Sequence, residues 1–189
     1  MDYDEDITEA LKILRERGVI LYPTDTIWGL GCDATNNEAV EKIFRIKSRH
    51  DSKSLIVLVN GVTMLERYVK AIPEIALELA EISDKPLTII YPNSKNLAPG
   101  ILAEDGSVGI RICQDDFCNK LIERFRKPIV STSANISGEA SPSAFNEISE
   151  SIINAVDYTV RYKREDRQKK LPSPVIKVEL NGVIKIIRK

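Results

Sequence analysis

Short apolar runs and helical patterns alternate along most of the chain, and this order restricts the possible folds more than any other feature of the sequence. Residues 55–59 (LIVLV) form a continuous run with several β-branched residues, which is typical of a strand buried on both faces. Residues 6–17 and 37–47 carry apolar positions at helical spacing, and Asp6 is the expected N-cap of the first helix. The alternation indicates an α/β protein.

The remaining elements extend this pattern and then depart from it. Further helices are predicted over 63–70, 73–82, 115–126 and 143–154, and further strands over 18–26, 86–92, 107–112, 128–133, 157–162, 174–180 and 183–189. The last three strands follow one another without a helix, so we expect a mixed parallel and antiparallel sheet. Asn181-Gly182 predicts a hairpin turn between the last two strands. A length of 189 residues predicts one domain over 1–189.

Composition and charge exclude several classes of protein. The chain has 27 basic and 28 acidic residues, so its net charge of −1 argues against a globally basic nucleic-acid binder. No apolar run approaches a membrane span, and the acidic start is unlike a secretory leader. The three cysteines (Cys32, Cys113 and Cys118) form no C-x-x-C pair, so neither disulfides nor a zinc site is predicted. We therefore expect a cytoplasmic protein without a metal site of protein ligands alone.

The predicted strand at 128–133 leads into an unusually polar exit. Residues 131–138 read STSANISG, so hydroxyl and amide groups follow the apolar Pro-Ile-Val at 128–130. The simpler interpretation is a polar turn, because Ser and Asn favour turns. The functional interpretation is a ligand site, because ligands of α/β sheets bind at the carboxyl ends of strands.

Three other short segments also place polar groups at the edges of predicted elements. They are YPTDTIWGLG (22–31), KSR (47–49) and SVGIR (107–111). Arginine captures carboxylates and phosphates through two donors, and lysine acts as a point charge, so the segments together suit an anionic ligand. Both common phosphate-binding loops, G-x-x-x-x-G-K-[ST] and G-x-G-x-x-G, are absent. The single histidine, His50, lies in a polar loop, and we expect it to be exposed and not catalytic.

The most charge-dense stretch leaves two interpretations open. Residues 161–170 (RYKREDRQKK) contain six basic and two acidic side chains. Such a run is usually a solvated loop. The alternative is a mobile basic flap over an anionic ligand.

In their order and spacing, these segments, together with PSP at 172–174, resemble the YrdC/TsaC family of threonylcarbamoyl-AMP synthases, in its short single-domain form. The resemblance implies a twisted mixed sheet flanked by helices around a concave basic cavity. It also implies a nucleotidyl transfer in which L-threonine, bicarbonate and ATP, accompanied by Mg²⁺, give L-threonylcarbamoyladenylate and pyrophosphate. The product would serve tRNA modification through a separate transferase.

The resemblance also implies roles for individual residues. The expected L-threonine pocket is lined by Thr26, Arg111, Ser133 and Ser173, with Thr24 as the alternative to Thr26. The residues expected to contact ATP are Lys47, Arg49, Lys53, Ser107, Asn135, Ser143 and Arg188. Lys47 and Arg49 are the expected catalytic cations, since they would neutralise charge as pyrophosphate leaves.

Some positions depart from the family pattern and keep other functions open. Lys53-Ser54 stands where Asn-Pro is frequent, Asp84-Lys85 where Pro-Gly is usual, and Leu58 where a histidine is frequent. Leu58 keeps open a related ATP-dependent enzyme with another acceptor. A module of the same fold that binds double-stranded RNA or tRNA without synthase activity is the other alternative, although such a module would not need Ser133 and Asn135.

Overall fold

The computed structural model describes residues 3–48 and 55–189, and within these ranges nine strands form one sheet. The strands are β1 (Ile20–Tyr22), β2 (Gly29–Gly31), β3 (Ile56–Val59), β4 (Thr88–Tyr91), β5 (Val108–Ile112), β6 (Ile129–Ser133), β7 (Tyr158–Thr159), β8 (Val175–Val178) and β9 (Ile184–Arg188). Their order across the sheet is β7-β1-β2-β6-β3-β5-β4-β8-β9. The β1–β7, β3–β5 and β4–β8 pairs are parallel and the others are antiparallel, which confirms the predicted mixed sheet.

Six α-helices flank the sheet in the described part of the chain. They are α1 (Asp4–Arg15), α2 (Asn37–Ile46), α3 (Val62–Leu65), α4 (Glu74–Ile82), α5 (Asp116–Phe125) and α6 (Glu150–Ala155). Helix α1 packs on α5, and both α3 and α5 contact β3. The predicted helix over 63–70 is therefore one short turn, and the one over 143–154 divides into a 3-10 turn (Phe145–Glu147) and α6.

The start of α1 differs from the prediction. The helix begins at Asp4, so Asp6 lies inside it and is not its N-cap. The Asp6 carboxylate instead accepts hydrogen bonds from Oη of Tyr158 (2.5 Å) and from the backbone N–H groups of Arg161 (3.0 Å) and Tyr162 (2.8 Å). These partners lie more than 150 residues away in sequence, so the local pattern could not reveal them.

The strand predicted over 18–26 is also shorter than expected, because the chain turns back after it. Strand β1 ends at Tyr22, and the unpredicted strand β2 pairs with it in antiparallel register, with Ile20 opposite Gly31 and Tyr22 opposite Gly29. A Cβ atom at Gly31 would lie 2.5 Å from Cε1 of the Tyr22 ring, so this position needs glycine. Glycines weaken the sequence signal for a strand, and this explains why β2 was missed.

Strand β3 confirms the buried run at 55–59. Val57, Leu58 and Val59 are fully buried, and β3 lies between β6 and β5 in the middle of the sheet. At the other end, Asn181-Gly182 forms the predicted turn between β8 and β9, with Gly182 at φ +83°. None of the helices that the structure describes is long and apolar enough to span a membrane.

Candidate functional site

A cavity of about 1050 Å³ lies over one face of the sheet. Ile90, Gly109, Ile56 and Ser131 follow one another in register across β4, β5, β3 and β6, and all four line it. The cavity also includes most of the predicted site residues, namely Thr26, Lys47, Ser107, Arg111, Ser133, Asn135, Ser173 and Arg188. The sheet therefore brings together residues that are widely separated in sequence.

The other predicted residues do not appear in the described lining of the cavity. Ser143 is not part of the cavity lining, and its hydroxyl donates to Oε2 of Glu147 (2.8 Å), whereas Ser141 does line the cavity. Thr24 is buried behind Thr26, and its hydroxyl donates to the carbonyl of Ile27 (2.8 Å). Arg49, His50 and Lys53 lie outside the described residues.

Arg111 projects from β5 at one end of the cavity and is almost completely buried. Its Nη1 donates to Oγ of Ser173 (3.2 Å), and its Nη2 lies 2.8 Å from Oδ1 of Asp25 in an ion pair. The second carboxylate oxygen of Asp25 accepts from the backbone N–H of Gln114 (3.2 Å). Within the described residues, Nε of Arg111 is buried without a hydrogen-bond partner. The guanidinium therefore has a buried donor that no described group satisfies, although the arginine itself lines the cavity.

Ser173 connects this arginine to two further groups. Its hydroxyl lies 2.8 Å from Oγ1 of Thr88, and its carbonyl accepts from Nε (3.1 Å) and Nη2 (2.7 Å) of Arg188. Burial, together with the nearby charge of Arg111, lowers the pKa of Arg188 from its ordinary value. Arginine remains protonated in proteins, so both cations keep their charge.

Lys47 lies at the other end of the cavity, next to the carboxyl ends of α2 and β6. Its Nζ donates to the backbone carbonyls of Ser133 (2.6 Å) and Asn135 (2.7 Å), and the N–H of Ser137 donates back to the carbonyl of Lys47 (3.0 Å). The amide of Asn135 donates to the carbonyl of Glu139 (2.8 Å), which orders the STSANISG turn. The ammonium group is consequently fixed at the strand exit.

Ser107 is fixed by a carboxylate at the start of β5. Its hydroxyl and backbone N–H both donate to Oδ1 of Asp105, at 2.5 and 3.0 Å. Nζ of Lys177 lies 2.8 Å from the other oxygen of Asp105. The hydrogen bond from Lys177, reinforced by those from Ser107, holds the pKa of Asp105 well below its usual range.

The basic segment at 161–170 is attached to the rest of the protein at several points. Arg161 pairs with Glu5 and Asp6, and Nζ of Lys163 lies 2.6 Å from Oδ2 of Asp115. The guanidinium of Arg164 lies over the ring of Phe145, which in turn packs against Trp28 on the cavity wall. At least these three cations have partners within the protein, so the first half of the segment is neither a freely solvated loop nor an unattached flap.

Asp25 and Thr88 were not predicted as site residues, although each contacts a residue that was. Asp25 pairs with Arg111, and Thr88 contacts Ser173. Each contact joins segments more than 80 residues apart, and only the polar T-D-T sequence at 24–26 offered a local signal.

Leu58, the residue that keeps open an enzyme with another acceptor, lies beside Arg111 in the sheet. It is fully buried and is the register partner of Arg111, but it does not line the cavity. The side chain at position 58 therefore belongs to the surroundings of Arg111 rather than to the described cavity lining.

The described residues contain no cluster of three or more His, Cys, Asp or Glu side chains that could hold a metal ion. The cavity lining, as far as the structure describes it, also contains no carboxylate; its charged side chains are Lys47, Arg111 and Arg188. The donor set suits anionic groups better than a divalent cation.

This combination defines an α/β protein with a cation-bearing cavity of substrate size. The chain belongs to the Sua5/YciO/YrdC family, whose model carries the description "Telomere recombination" and matches residues 12–189. This confirms the resemblance noted from the sequence.

Individual relatives agree with this assignment. A protein named threonylcarbamoyl-AMP synthase from Psychromonas ingrahamii is 38% identical over 135 residues, which are 70% of this chain and 71% of that protein. The structure of P. abyssi Sua5 complexed with L-threonine has a TM-score of 0.83 at 30% identity, and the match covers 96% of this chain but 53% of that one. This chain thus spans about half the length of that Sua5. E. coli YciO, with a TM-score of 0.84 at 24% identity over 98% of this chain and 89% of its own, shares the fold.

Proposed function

We propose that this protein is a threonylcarbamoyl-AMP synthase, which forms L-threonylcarbamoyladenylate and pyrophosphate from L-threonine, bicarbonate and ATP. Relatives that carry this name and the L-threonine complex of P. abyssi Sua5 support the proposal. The observation that carries it is a single cavity whose two ends hold different anion-binding groups, Arg111 with Ser173 at one end and Lys47 with Asn135 at the other.

The Arg111 end is the proposed threonine pocket. The buried guanidinium would bind the carboxylate of the amino acid, because guanidinium and carboxylate groups match in geometry. The hydroxyls of Thr26, Ser133 and Ser173 line the same cavity and would orient the amine and the carbamate derived from it.

The Lys47 end is the proposed nucleotide site. The cavity residues assigned to ATP are Lys47, Ser107 and Asn135, together with Arg188, whose guanidinium donates to the carbonyl of Ser173 nearer the Arg111 end. Arg49 and Lys53, outside the described residues, and Ser143, outside the described cavity lining, complete the set. Ser143 would have to leave Glu147 to reach a nucleotide. We propose MgATP as the substrate form, with Mg²⁺ coordinated by phosphate oxygens and water, since the described lining supplies no carboxylate.

The reaction needs orientation and charge stabilisation more than a general base. The amine of threonine attacks the carbon of bicarbonate, and water leaves as the carbamate forms. A carbamate oxygen then attacks the α-phosphorus of ATP, and pyrophosphate departs with the bonding electron pair. The carbamate is already anionic, so a residue that removes a proton at this step is unnecessary. Lys47, fixed by two carbonyls, would stabilise the charge that develops on the phosphates.

The proposal extends to the use of the product. The adenylate would be consumed in threonylcarbamoylation of tRNA by a separate transferase, in the cytoplasm. Binding of tRNA or double-stranded RNA would then be a secondary property of this protein and not its main function.

Pyrophosphate release from ATP, measured with each amino acid in turn and with or without bicarbonate, tests the proposal. We expect release that requires both L-threonine and bicarbonate. Lys47→Met, which keeps most of the apolar length of the side chain, should reduce this rate about a hundredfold, while Lys70→Met, at an exposed position outside the cavity, should not. Release driven by another amino acid would contradict the proposed substrate, and no release with any amino acid would contradict the proposed activity.

A further inference from the structure

Asp25 has no role in the assignment above, yet its carboxylate is buried beside Arg111, one of the two almost fully buried cations of the cavity. Its side chain is 5% exposed, and it lies in the loop that joins β1 and β2. It is not part of the cavity lining. Because this carboxylate does not reach the cavity, we expect it to influence a ligand there through Arg111, the cavity-lining side chain that it contacts.

We propose that Asp25 is a positioning residue for L-threonine, which fixes the guanidinium of Arg111 at the cavity wall, where this cation binds the amino acid's carboxylate. This inference rests on the proposed function. It adds a residue behind the threonine pocket that determines how the pocket recognises a carboxylate.

The donors of Arg111 show why such positioning matters. A guanidinium carries five N–H donors. Nη1 donates to Ser173, whereas in the described structure neither Nε nor Nη2 makes an aligned hydrogen bond, although Nη2 lies 2.8 Å from Oδ1 of Asp25. Both atoms are buried, so Asp25 and Ser173, rather than solvent, determine the orientation of the guanidinium. A carboxylate supplies the required oxygen acceptors in a matching plane.

The negative charge of Asp25 also stabilises the buried guanidinium of Arg111. The side chain of Arg111 is 2% exposed, and an unpaired cation at this depth would be strongly unfavourable. Asp25 supplies the counter-charge from behind, so the guanidinium can stay buried at the cavity wall. Without it, the guanidinium would be expected to rotate toward water or toward the carbonyls around the cavity.

The loop that carries Asp25 is itself well fixed. Oγ1 of Thr24 accepts from the N–H of Thr26 (3.1 Å) and donates to the carbonyl of Ile27 (2.8 Å), which closes the loop around Asp25. From the other side, the N–H of Gln114 donates to Oδ2 of Asp25 (3.2 Å). The hydrogen bonds of the loop and the N–H of Gln114 therefore both determine where the carboxylate lies, as pre-organisation of a binding site requires.

Steady-state kinetics of Asp25→Asn test this role, since the substitution removes the charge and nearly preserves the shape. We expect the KM for L-threonine to rise about tenfold or more, because a charge-assisted contact is lost or misaligned. The KM for ATP should change by less than about twofold. The preference for L-threonine over L-threoninamide, which lacks the carboxylate, should also fall, and a purely structural role would not produce this change.

Asp33→Asn is the matched control. Asp33 is also buried, and its carboxylate lies 2.6 Å from Nζ of Lys127, but it does not line the cavity. We expect this substitution to lower stability without a selective rise in the KM for L-threonine. Thermal unfolding of both variants would establish that each is folded at the temperature of the assay.

A folded Asp25→Asn enzyme with unchanged threonine KM and amide discrimination, or with equal rises in both KM values, would overturn the proposal. If Asp25→Asn does not fold, Asp25→Glu keeps the charge but displaces the carboxylate, and a wild-type threonine KM in that variant would overturn it equally. If the wild-type protein releases no pyrophosphate with L-threonine, the proposed function fails instead. Calorimetric titration of L-threonine into wild type and Asp25→Asn then tests Asp25 by itself, and equal affinities would count against it.

Discussion

The two ends of the cavity hold their cations in different ways. Lys47 is fixed by backbone carbonyls of Ser133 and Asn135 at a strand exit. Arg111 is fixed by the side chains of Asp25 and Ser173, which come from distant parts of the chain. Main-chain carbonyls are present whatever the side chains are, whereas a side-chain network can be lost through a single substitution.

This difference suggests that the two ends bind different chemical groups of the substrates. A buried guanidinium with a carboxylate behind it suits one carboxylate in a defined plane. A lysine fixed at the polar turn after β6 suits phosphate groups, which need charge more than directional hydrogen bonds. Substitutions at the two ends should therefore affect different substrates, and they should change stability, kcat and KM to different extents.

The largest expected effect is that of Arg111→Met on stability. This substitution leaves the carboxylate of Asp25 buried without its cation, and breaking a buried pair in this way typically costs about 3–5 kcal/mol. Denaturant unfolding would measure the loss. The exposed pair of Arg17 and Glu38 provides the control, since Arg17→Met should cost less than about 1 kcal/mol. Equal losses in the two variants would show that Asp25 and Arg111 do not depend on one another.

At the other end, Lys47→Met should act mainly on the rate of reaction. We expect kcat to fall about a hundredfold, since one preorganised charge contact to the transition state is removed. The KM for L-threonine should stay within about threefold of the wild-type value. Initial rates at varied threonine concentration test this separation, and a large rise in threonine KM would mean that the two ends are not distinct.

Ser173→Ala should have a smaller effect on the threonine end. The substitution removes the acceptor of Nη1 of Arg111 and the partner of Oγ1 of Thr88. We expect the free energy of unfolding to fall by about 1–2 kcal/mol and the threonine KM to rise several-fold. Ser151→Ala, at an exposed position outside the cavity lining, is the control for loss of a serine hydroxyl. A threonine KM unchanged in Ser173→Ala would contradict the role of the network.

The smallest effect concerns pH. The pKa of Asp105 is depressed in the folded protein, mainly by the hydrogen bond from Lys177. Its contribution to stability is therefore complete above its ordinary pKa of 3.8 and is lost as the pH falls below that value. Asp105→Asn should be less stable than wild type at pH 7, and the difference should shrink in acid. Unfolding measured at several pH values would test this, and a difference that grows in acid would contradict it.

The sequence predicted the parts of the molecule that depend on local pattern. The buried run at 55–59, the turn at Asn181-Gly182 and the polar exit after β6 were each visible in short segments, and the structure confirms the elements and places the polar exit at the cavity. The mixed character of the sheet followed from the clustering of the last strands. The roles of the individual site residues stay predictions, although the sheet gathers most of them around one cavity.

The features that were missed depend on contacts between distant segments. Asp6 was expected to cap α1, but its partners come from residues 158–162. Strand β2 was hidden by its glycines, of which Gly31 is required by the packing of Tyr22. The pairing of Asp25 with Arg111 could not be predicted from the polar T-D-T sequence alone, because only the fold brings the two residues together.

A crystal structure with L-threonine and a non-hydrolysable ATP analogue tests the central claim most directly. We expect the threonine carboxylate to accept from the guanidinium of Arg111 while the Asp25–Arg111 contact is retained, and the phosphates to lie beside Lys47. A structure in which L-threonine lies at Lys47, or in which Arg111 leaves Asp25 to bind the phosphates, would contradict it.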